Sequence, residues 1–204
     1  MKNNNNSDDL KKEVDRLMKI KGEERGGAPV RYMADFILKE EGEEGLKQLE
    51  DTIAEFGYPI ELRKVKPNDF YPLGLGTVLY LVSKKLFNYD NKKLQEMSRF
   101  KAKYPALIRF LMGYFISLER FLKESPKLWR RQYTVGEFKV IEYNKEEKYI
   151  ISRLKNFRTH PAHCQALTEV FSTLIQMIVK SPVTCEETKC VHRDDEYHEF
   201  LAKW

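Results

Sequence analysis

The chain has 204 residues and a net charge of +5, and its composition is 42% hydrophobic and 33% charged. This length suits one domain with a small helical extension, and the hydrophobic fraction can fill a core, which excludes general disorder. The small charge excess does not indicate nucleic-acid binding, for which a clustered basic face is typical. The sequence has no run of about 18 apolar residues, and residues 1–13 lack the apolar core of a secretory signal. We therefore expect a cytoplasmic protein without a transmembrane segment.

The N-terminal stretch is predicted to be an appendage. Residues 1–7 are polar and rich in asparagine, which indicates a disordered tail. Residues 9–20 carry an apolar helical stripe, formed by Leu10, Val14, Leu17 and Met18. This stripe needs a partner, either the main domain or a second copy of the chain, and we expect a homodimer. We interpret residues 1–25 as tail and appended helix, and residues 26–204 as a single domain.

The first part of that domain, residues 28–130, has helical periodicity. Gly42 and Gly45 interrupt the pattern, and residues 67–72 are predicted to be a loop. Asp90 or Asn91 is a candidate cap for a short helix, and Pro126 is expected to end the most apolar one. The helices are expected over residues 28–40, 44–56, 75–87, 90–99 and 105–123.

The helix over residues 105–123 is apolar on more than half of its circumference. Core packing is the ordinary explanation for such a helix. Ligand pockets are also mostly apolar with few polar groups, so a pocket for a small apolar or aromatic ligand is the alternative. Its candidate lining residues are Phe110, Tyr114, Phe115, Leu118 and Trp129.

The hydrophobic period changes from 3.6 to 2 after residue 131, which indicates strands. A hairpin is expected from Tyr133–Tyr143 and residues 148–157 around a turn at Asn144, with an irregularity near Gly136. A helix over 162–181 follows, and then strands over 183–192 and 197–204. The order predicts an α+β fold, in which a helical half precedes a β-β-α-β-β antiparallel sheet, residues 131–204, packed on helices.

All cysteines and histidines of the chain lie between His160 and His198. Cys164 falls on the buried stripe of the helix over 162–181, facing the sheet. Cys190 and His198 lie four residues either side of Asp194, so a turn centred there places them opposite each other on one face. In a regular strand Glu187 points to the other face, and it joins them only if the chain bends or bulges, or is still a loop, at residues 186–188.

These four side chains offer two sulfurs, one oxygen and one nitrogen, a set that suits tetrahedral zinc. Cys185 is expected on the other face of the strand from Cys190, as a packing residue, and it replaces Glu187 if the register differs. The alternative without metal is a buried Cys164, a strand Cys190 and a surface His198.

The C-terminal motifs resemble the end of the 4-vinyl reductase domain. They are Glu187-Thr188-Lys189-Cys190, then Arg193-Asp194, then His198-Glu199-Phe200, with the helix cysteine Cys164 upstream. That family ends in Glu-x-x-Cys, a Gly-Asp-type turn and Cys-x-Phe, and members that sense aromatic compounds bind zinc there. The resemblance implies Cys164, Glu187, Cys190 and His198 as ligands. Arg193 in place of Gly and His198 in place of Cys are the two departures.

The order of elements over residues 28–204 is also similar to the wider fold group that contains haem nitric-oxide-binding domains and TRAPP subunits. The haem version requires an axial histidine from the helical half and a Tyr-x-Ser-x-Arg motif. Residues 1–159 contain no histidine, and Tyr149-Ile150-Ile151-Ser152-Arg153 has the wrong spacing. Haem is therefore not expected.

The function expected from these observations is a non-enzymatic sensory domain that binds a ligand and is stapled by zinc near its C-terminus. Four ligands fill the zinc shell, whereas a catalytic zinc keeps one position for water. Nucleophilic catalysis by Cys164 with His160 or His163 lacks an orienting acid in the sequence. The alternative is a TRAPP-like assembly module without a ligand.

Overall fold

The computed structural model describes residues 3–26, 29–102 and 117–204. The chain divides into two compact units, Met1–Phe100 and Lys101–Trp204. The first unit is mainly helical and the second contains a four-stranded antiparallel sheet. The predicted α+β class is confirmed, as is the order of helices first and β-β-α-β-β afterwards.

The first unit packs its helices around one apolar core. Val14 and Leu17 of the first helix are fully buried in that core. The unit's own core therefore covers the apolar stripe of this helix, which begins at Asn3, upstream of the expected start at residue 9. The elements of this unit are α1 (Asn3–Met18), β1 (Glu23–Arg25), α2 (Pro29–Glu55), β2 (Phe70–Pro72), α3 (Leu75–Leu86) and α4 (Asn91–Ala102).

Local signals in the sequence identify two helix boundaries correctly. Gly42 adopts φ +73° and kinks α2 between the two segments that were predicted as separate helices, a conformation that glycine reaches without steric cost. The Asp90 carboxylate accepts a hydrogen bond from the Lys93 backbone N–H at 2.7 Å, which caps α4.

A two-stranded sheet replaces part of the predicted loop at residues 67–72. Strand β2 pairs antiparallel with β1, so that Arg25 lies opposite Phe70. Strands of three residues are too short to display a period of two, which is why the sequence does not reveal them.

The second unit packs two helices against a sheet with the strand order β3-β4-β6-β5. Ile150, Leu154, Phe200 and Ala202, from the two central strands, are buried. In this part of the chain the elements are α5 (Leu118–Gln132), β3 (Glu137–Asn144), β4 (Tyr149–Lys155), α6 (Pro161–Val179), β5 (Thr184–Lys189) and β6 (His198–Lys203).

Pro126 does not end its helix, contrary to the prediction. It lies inside α5, which runs from Leu118 to Gln132. Proline cannot donate to the carbonyl four residues earlier, which is that of Leu122. The buried Ser125 hydroxyl donates to this carbonyl at 2.7 Å instead. A local side-chain hydrogen bond therefore lets the helix continue past the proline.

Both edge strands of the sheet contain an extra residue. The register shifts between Val140 and Glu142 in β3, and between Glu187 and Lys189 in β5. The irregularity expected near Gly136 is present, since this residue adopts φ +86° directly before β3 begins, and the bulge in β3 is a second one. No helix in the described ranges combines the length and the apolar character that crossing a bilayer requires.

Candidate metal site

The site lies where the first turn of α6 meets the connection between β5 and β6. Pro161 begins α6, and the His160 side chain caps it by accepting a hydrogen bond from Ala162 N–H at 3.0 Å. Cys164, in this first turn, is 3% exposed. Further along α6, Phe171 makes an edge-to-face contact with Phe200 of β6, with centroids 5.0 Å apart. Cys164 therefore faces the sheet, as its position on the apolar stripe predicts.

Cys190 and His198 stand at the two ends of the β5–β6 connection. The last pair of the ladder joins Lys189 to Glu199, so Cys190 directly follows β5 and His198 is the first residue of β6. A 3-10 turn, Val191–Arg193, fills part of the connection. The Asp195 carboxylate accepts a hydrogen bond from Cys190 N–H at 2.8 Å, which holds the connection closed.

Glu187 reaches the same face because β5 bulges. Glu187 pairs with Phe200 and Lys189 with Glu199, so two residues of β5 oppose one residue of β6. The sequence predicts that Glu187 joins the cysteines only through a bend, a bulge or a loop at residues 186–188, and the register contains a bulge there. Beyond a bulge the alternation of side chains is inverted, which brings Cys190 to the face of Glu187.

The structure thus brings together all four side chains that the sequence singled out. The donor atoms of Cys164, Glu187, Cys190 and His198 lie within 4.8 Å of one another. The two sulfurs are 3.9 Å apart, and the Cys164 sulfur lies 3.8 Å from His198 Nδ1. Glu187 Oε1 lies 2.8 Å from the same nitrogen.

The ring of His198 is held by its second nitrogen. Nε2 lies 2.7 Å from the backbone carbonyl of Phe157, and because a carbonyl only accepts, Nε2 carries the proton. Nδ1 is therefore the nitrogen with an available lone pair in the neutral ring, and it faces the two cysteines and Glu187. A histidine that ligates a metal commonly donates its other N–H to a carbonyl in this way.

Burial acts on all three acidic groups of the site, and His198 and Arg193 act as countercharges for one of them, Glu187. Burial, together with the neighbouring Glu187 and Cys190, raises the pKa of the Cys164 thiol well above its ordinary value. Burial likewise raises the pKa of Cys190, although the backbone N–H of His192 hydrogen-bonds to that thiol. Burial works against the Glu187 carboxylate, but hydrogen bonds with His198 and Cys190 leave its pKa lowered. A cation bound here would displace the thiol protons.

Cys185 packs beside the site without joining it. It pairs with Ala202, two positions before Glu187 on the same face, and contacts an apolar cluster that includes Ile175 of α6. The expected packing role is what the structure shows. Its expected position on the opposite face from Cys190 was wrong, because the bulge inverts the alternation between the two cysteines.

The predicted pocket residues fall partly outside the described residues. Phe110, Tyr114 and Phe115 lie outside them. Leu118 is buried in the apolar cluster of the second unit. Trp129 is 6% exposed and stacks on Tyr133, and its Nε1 donates to the Val135 carbonyl at 3.0 Å. Leu118 and Trp129 are therefore core residues of the second unit, and the pocket stays a prediction.

The cluster lacks the arrangement of a catalytic cysteine–histidine pair. In such a pair the orienting acid contacts the ring nitrogen that does not face the nucleophile. Here Cys164 and Glu187 both face Nδ1 of His198, and Phe157 occupies Nε2.

Two backbone groups complete the site, the Phe157 carbonyl and the His192 N–H. Any residue type can supply a backbone group, so no sequence signal could have identified them.

Comparison with solved structures identifies the fold. An H-NOX protein from S. oneidensis in the Fe(II)NO ligation state superposes with a TM-score of 0.62 at 10% identity, covering 87% of this chain and 97% of that one. An H-NOX structure studied for haem distortion gives a TM-score of 0.56 at 13% identity, covering 87% and 94%. A trafficking protein particle complex subunit 3 from Naegleria fowleri, covalently bound to palmitic acid, reaches 0.43 at 15% identity over 63% and 92%, and no inference rests on it.

The chain therefore has the α+β fold of H-NOX domains, and the predicted fold group is confirmed. No protein-family model matches the chain, and no curated protein matches it either. The resemblance to the 4-vinyl reductase domain stays a prediction.

Proposed function

We propose that this chain is a non-enzymatic sensory domain of the H-NOX-like fold, stapled by a structural zinc ion at Cys164, Glu187, Cys190 and His198. The observation that carries the proposal is the convergence of two sulfurs, one imidazole nitrogen and one carboxylate oxygen within 4.8 Å. These donors come from a helix, from the bulged strand β5 and from both ends of the β5–β6 connection, elements that only tertiary contacts hold together.

The donor set fits zinc in chemistry and in spacing. A tetrahedral zinc ion with Zn–S bonds of ~2.3 Å separates its sulfur ligands by about 3.8 Å, and the two sulfurs here are 3.9 Å apart. Nδ1 of His198 and Oε1 of Glu187 are 2.8 Å apart, close enough that they must share a proton. Zinc would replace that proton, and four protein ligands would leave no position for a reacting water.

Haem, by contrast, does not fit the residues of this chain. Structural neighbours of the H-NOX family are described with iron ligation states and haem distortion. Residues 1–159 contain no histidine. Both ring nitrogens of His198 have partners, and Nδ1 of His160 caps α6. The helical half therefore supplies no histidine that could ligate a haem.

Ligand binding is proposed from the fold alone. One H-NOX protein of this fold is described in an Fe(II)NO ligation state. In this chain the sequence predicts an apolar pocket as the place for a small apolar or aromatic ligand. The zinc ion would not contact such a ligand. It would keep α6 fixed on the sheet and so preserve the shape of the second unit.

Metal analysis of the purified protein tests the zinc site. Wild type prepared without chelators should contain about one zinc ion per chain, and Cys190→Ser should lose it because a hydroxyl is a poor zinc ligand. Cys185→Ser is the matched control, since this cysteine lies on the same face but outside the donor group, and it should keep its zinc. Wild type without stoichiometric zinc, or Cys190→Ser with the wild-type content, would contradict the proposal.

A further inference from the structure

We propose that Cys164 and Cys190 have a second role. They are an oxidisable dithiol that forms an intrachain disulfide when the metal is absent. This inference adds a regulation to the proposed zinc site. The two sulfurs are already in contact at 3.9 Å, and both thiols are free and buried. A disulfide requires about 2.05 Å between them, so each sulfur has to move by only about 1 Å.

The placement of the two residues favours closure of this bond. Cys164 lies in the first turn of α6, and Cys190 lies between the last ladder pair of β5 and a 3-10 turn. Neither sulfur is in the middle of a rigid element. The Cys190 backbone is fixed by Asp195 and by the turn hydrogen bond from Arg193 N–H to its carbonyl, so rotation of the side chain is the movement required.

The third cysteine, Cys185, does not compete for the disulfide between Cys164 and Cys190. Cys185 packs against the apolar cluster near Ile175, and its sulfur is not among the donors that the described residues gather at the site. The geometry therefore specifies one pair out of the three that are possible among three cysteines.

The chemistry balances with a hydroperoxide as the oxidant. The Cys190 sulfur attacks one peroxide oxygen, the O–O bond breaks, and the leaving oxygen takes the thiol proton to form water. The Cys164 sulfur then attacks the resulting sulfenic acid, displacing a hydroxide that takes the second proton. In sum, two thiols and one hydrogen peroxide give one disulfide and two waters.

Metal binding and the disulfide exclude each other, because each uses the same two sulfurs. Zinc would protect the thiols, and oxidation would expel zinc by removing two of its four ligands. The disulfide would join α6 to the β5–β6 connection at the same point as the metal. The oxidised unit should therefore stay folded without zinc, which makes the exchange a switch rather than damage.

The test counts free thiols after oxidation of the full chain. Metal is removed with a chelator, hydrogen peroxide is added and quenched, and the denatured protein is alkylated and weighed. Wild type should take up one alkyl group instead of three, with peptide mapping joining Cys164 to Cys190. Cys185→Ser should take up none, and Cys190→Ser should take up two. Three alkyl groups in wild type, or a disulfide that includes Cys185, would overturn the proposal.

A second readout separates this proposal from the zinc site itself. The metal-free melting temperature should be higher for the oxidised than for the reduced wild type, and Cys190→Ser should show no such difference. These measurements need no zinc, so absence of zinc in the purified protein would contradict only the proposed function. Stoichiometric zinc with three free thiols after oxidation would contradict only the dithiol.

Discussion

Single hydrogen bonds to backbone carbonyls decide two features of the second unit. The Phe157 carbonyl selects the tautomer of His198 and aims Nδ1 at the cysteines. The Ser125 hydroxyl satisfies the Leu122 carbonyl that Pro126 leaves without its helical donor. In both cases the sequence contains the side chain that donates the hydrogen bond, but only the folded structure shows which backbone carbonyl accepts it. This explains why the proline was expected to end the helix and does not.

Replacing Ser125 by alanine should destabilise the second unit. The buried Leu122 carbonyl would lose its partner, at a cost of about 1–3 kcal/mol in the free energy of unfolding. Thr173→Ala is the matched control, since the Thr173 hydroxyl donates to the Glu169 carbonyl inside the regular ladder of α6. It should cost less than about 1 kcal/mol. Urea unfolding followed by tryptophan fluorescence measures both, because Trp129 and Trp204 lie in this unit. Equal losses would contradict the explanation.

At the scale of elements, the bulge in β5 assembles the candidate site. A strand alternates its side chains with a period of two, so Glu187 and Cys190 cannot share a face without an extra residue. The register identifies Thr188 as that residue. The sequence shows that an irregularity of β5 is needed for Glu187 to join the site, but not whether it exists. A bulge depends on pairing with β6 and not on the local composition of β5. The strand over 183–192 was likewise predicted too long.

Deleting Thr188 should preserve zinc binding. Without this extra residue Glu187 and Cys190 lie two positions apart, and residues two positions apart share a face of a regular strand. Inserting one alanine directly before Cys190 should instead abolish zinc binding, because it moves Cys190 to the other face and leaves too few donors to hold the ion. Inserting one alanine after Ile141 is the matched control, since this residue lies in the bulge of the other edge strand, β3, where it is exposed and distant in sequence from the ligands. Zinc content and circular dichroism of the variants are the measurements. Loss of zinc after deletion of Thr188, or wild-type zinc content after the insertion before Cys190, would refute this role of the bulge.

At the scale of the whole molecule, the two units differ in how far their structure follows from local sequence patterns. The first unit is a helical core whose Val14, Leu17 and Ile37 are fully buried, and its helices follow directly from sequence periodicity. The second unit brings together residues as distant in sequence as Cys164 and His198. Periodicity identifies its strands and α6, and the superposition on an H-NOX protein shows the fold.

Removing zinc should lower the stability of the second unit. A ligand that binds only the folded state adds about 3 kcal/mol at a free concentration of 100 times Kd. Chelation should therefore lower the melting temperature followed by tryptophan fluorescence, and added zinc should restore it. Cys185→Ser should behave like wild type, whereas Cys190→Ser should respond to neither treatment. A wild-type transition that chelation leaves unchanged would argue against a structural role for the metal.

The sequence by itself determined the α+β class, the order of helices followed by β-β-α-β-β and the group of residues from which the candidate ligands come, because helical and strand periods and the clustering of cysteine and histidine are local properties. It could not determine the short β1–β2 pair, the continuation of α5 past Pro126 or the face on which Cys185 lies. Each of these depends on a partner far along the chain or on a backbone group whose position only the folded chain defines. Tertiary structure alone decided that β5 bulges at Thr188, and that bulge places Glu187 and Cys190 beside Cys164 and His198.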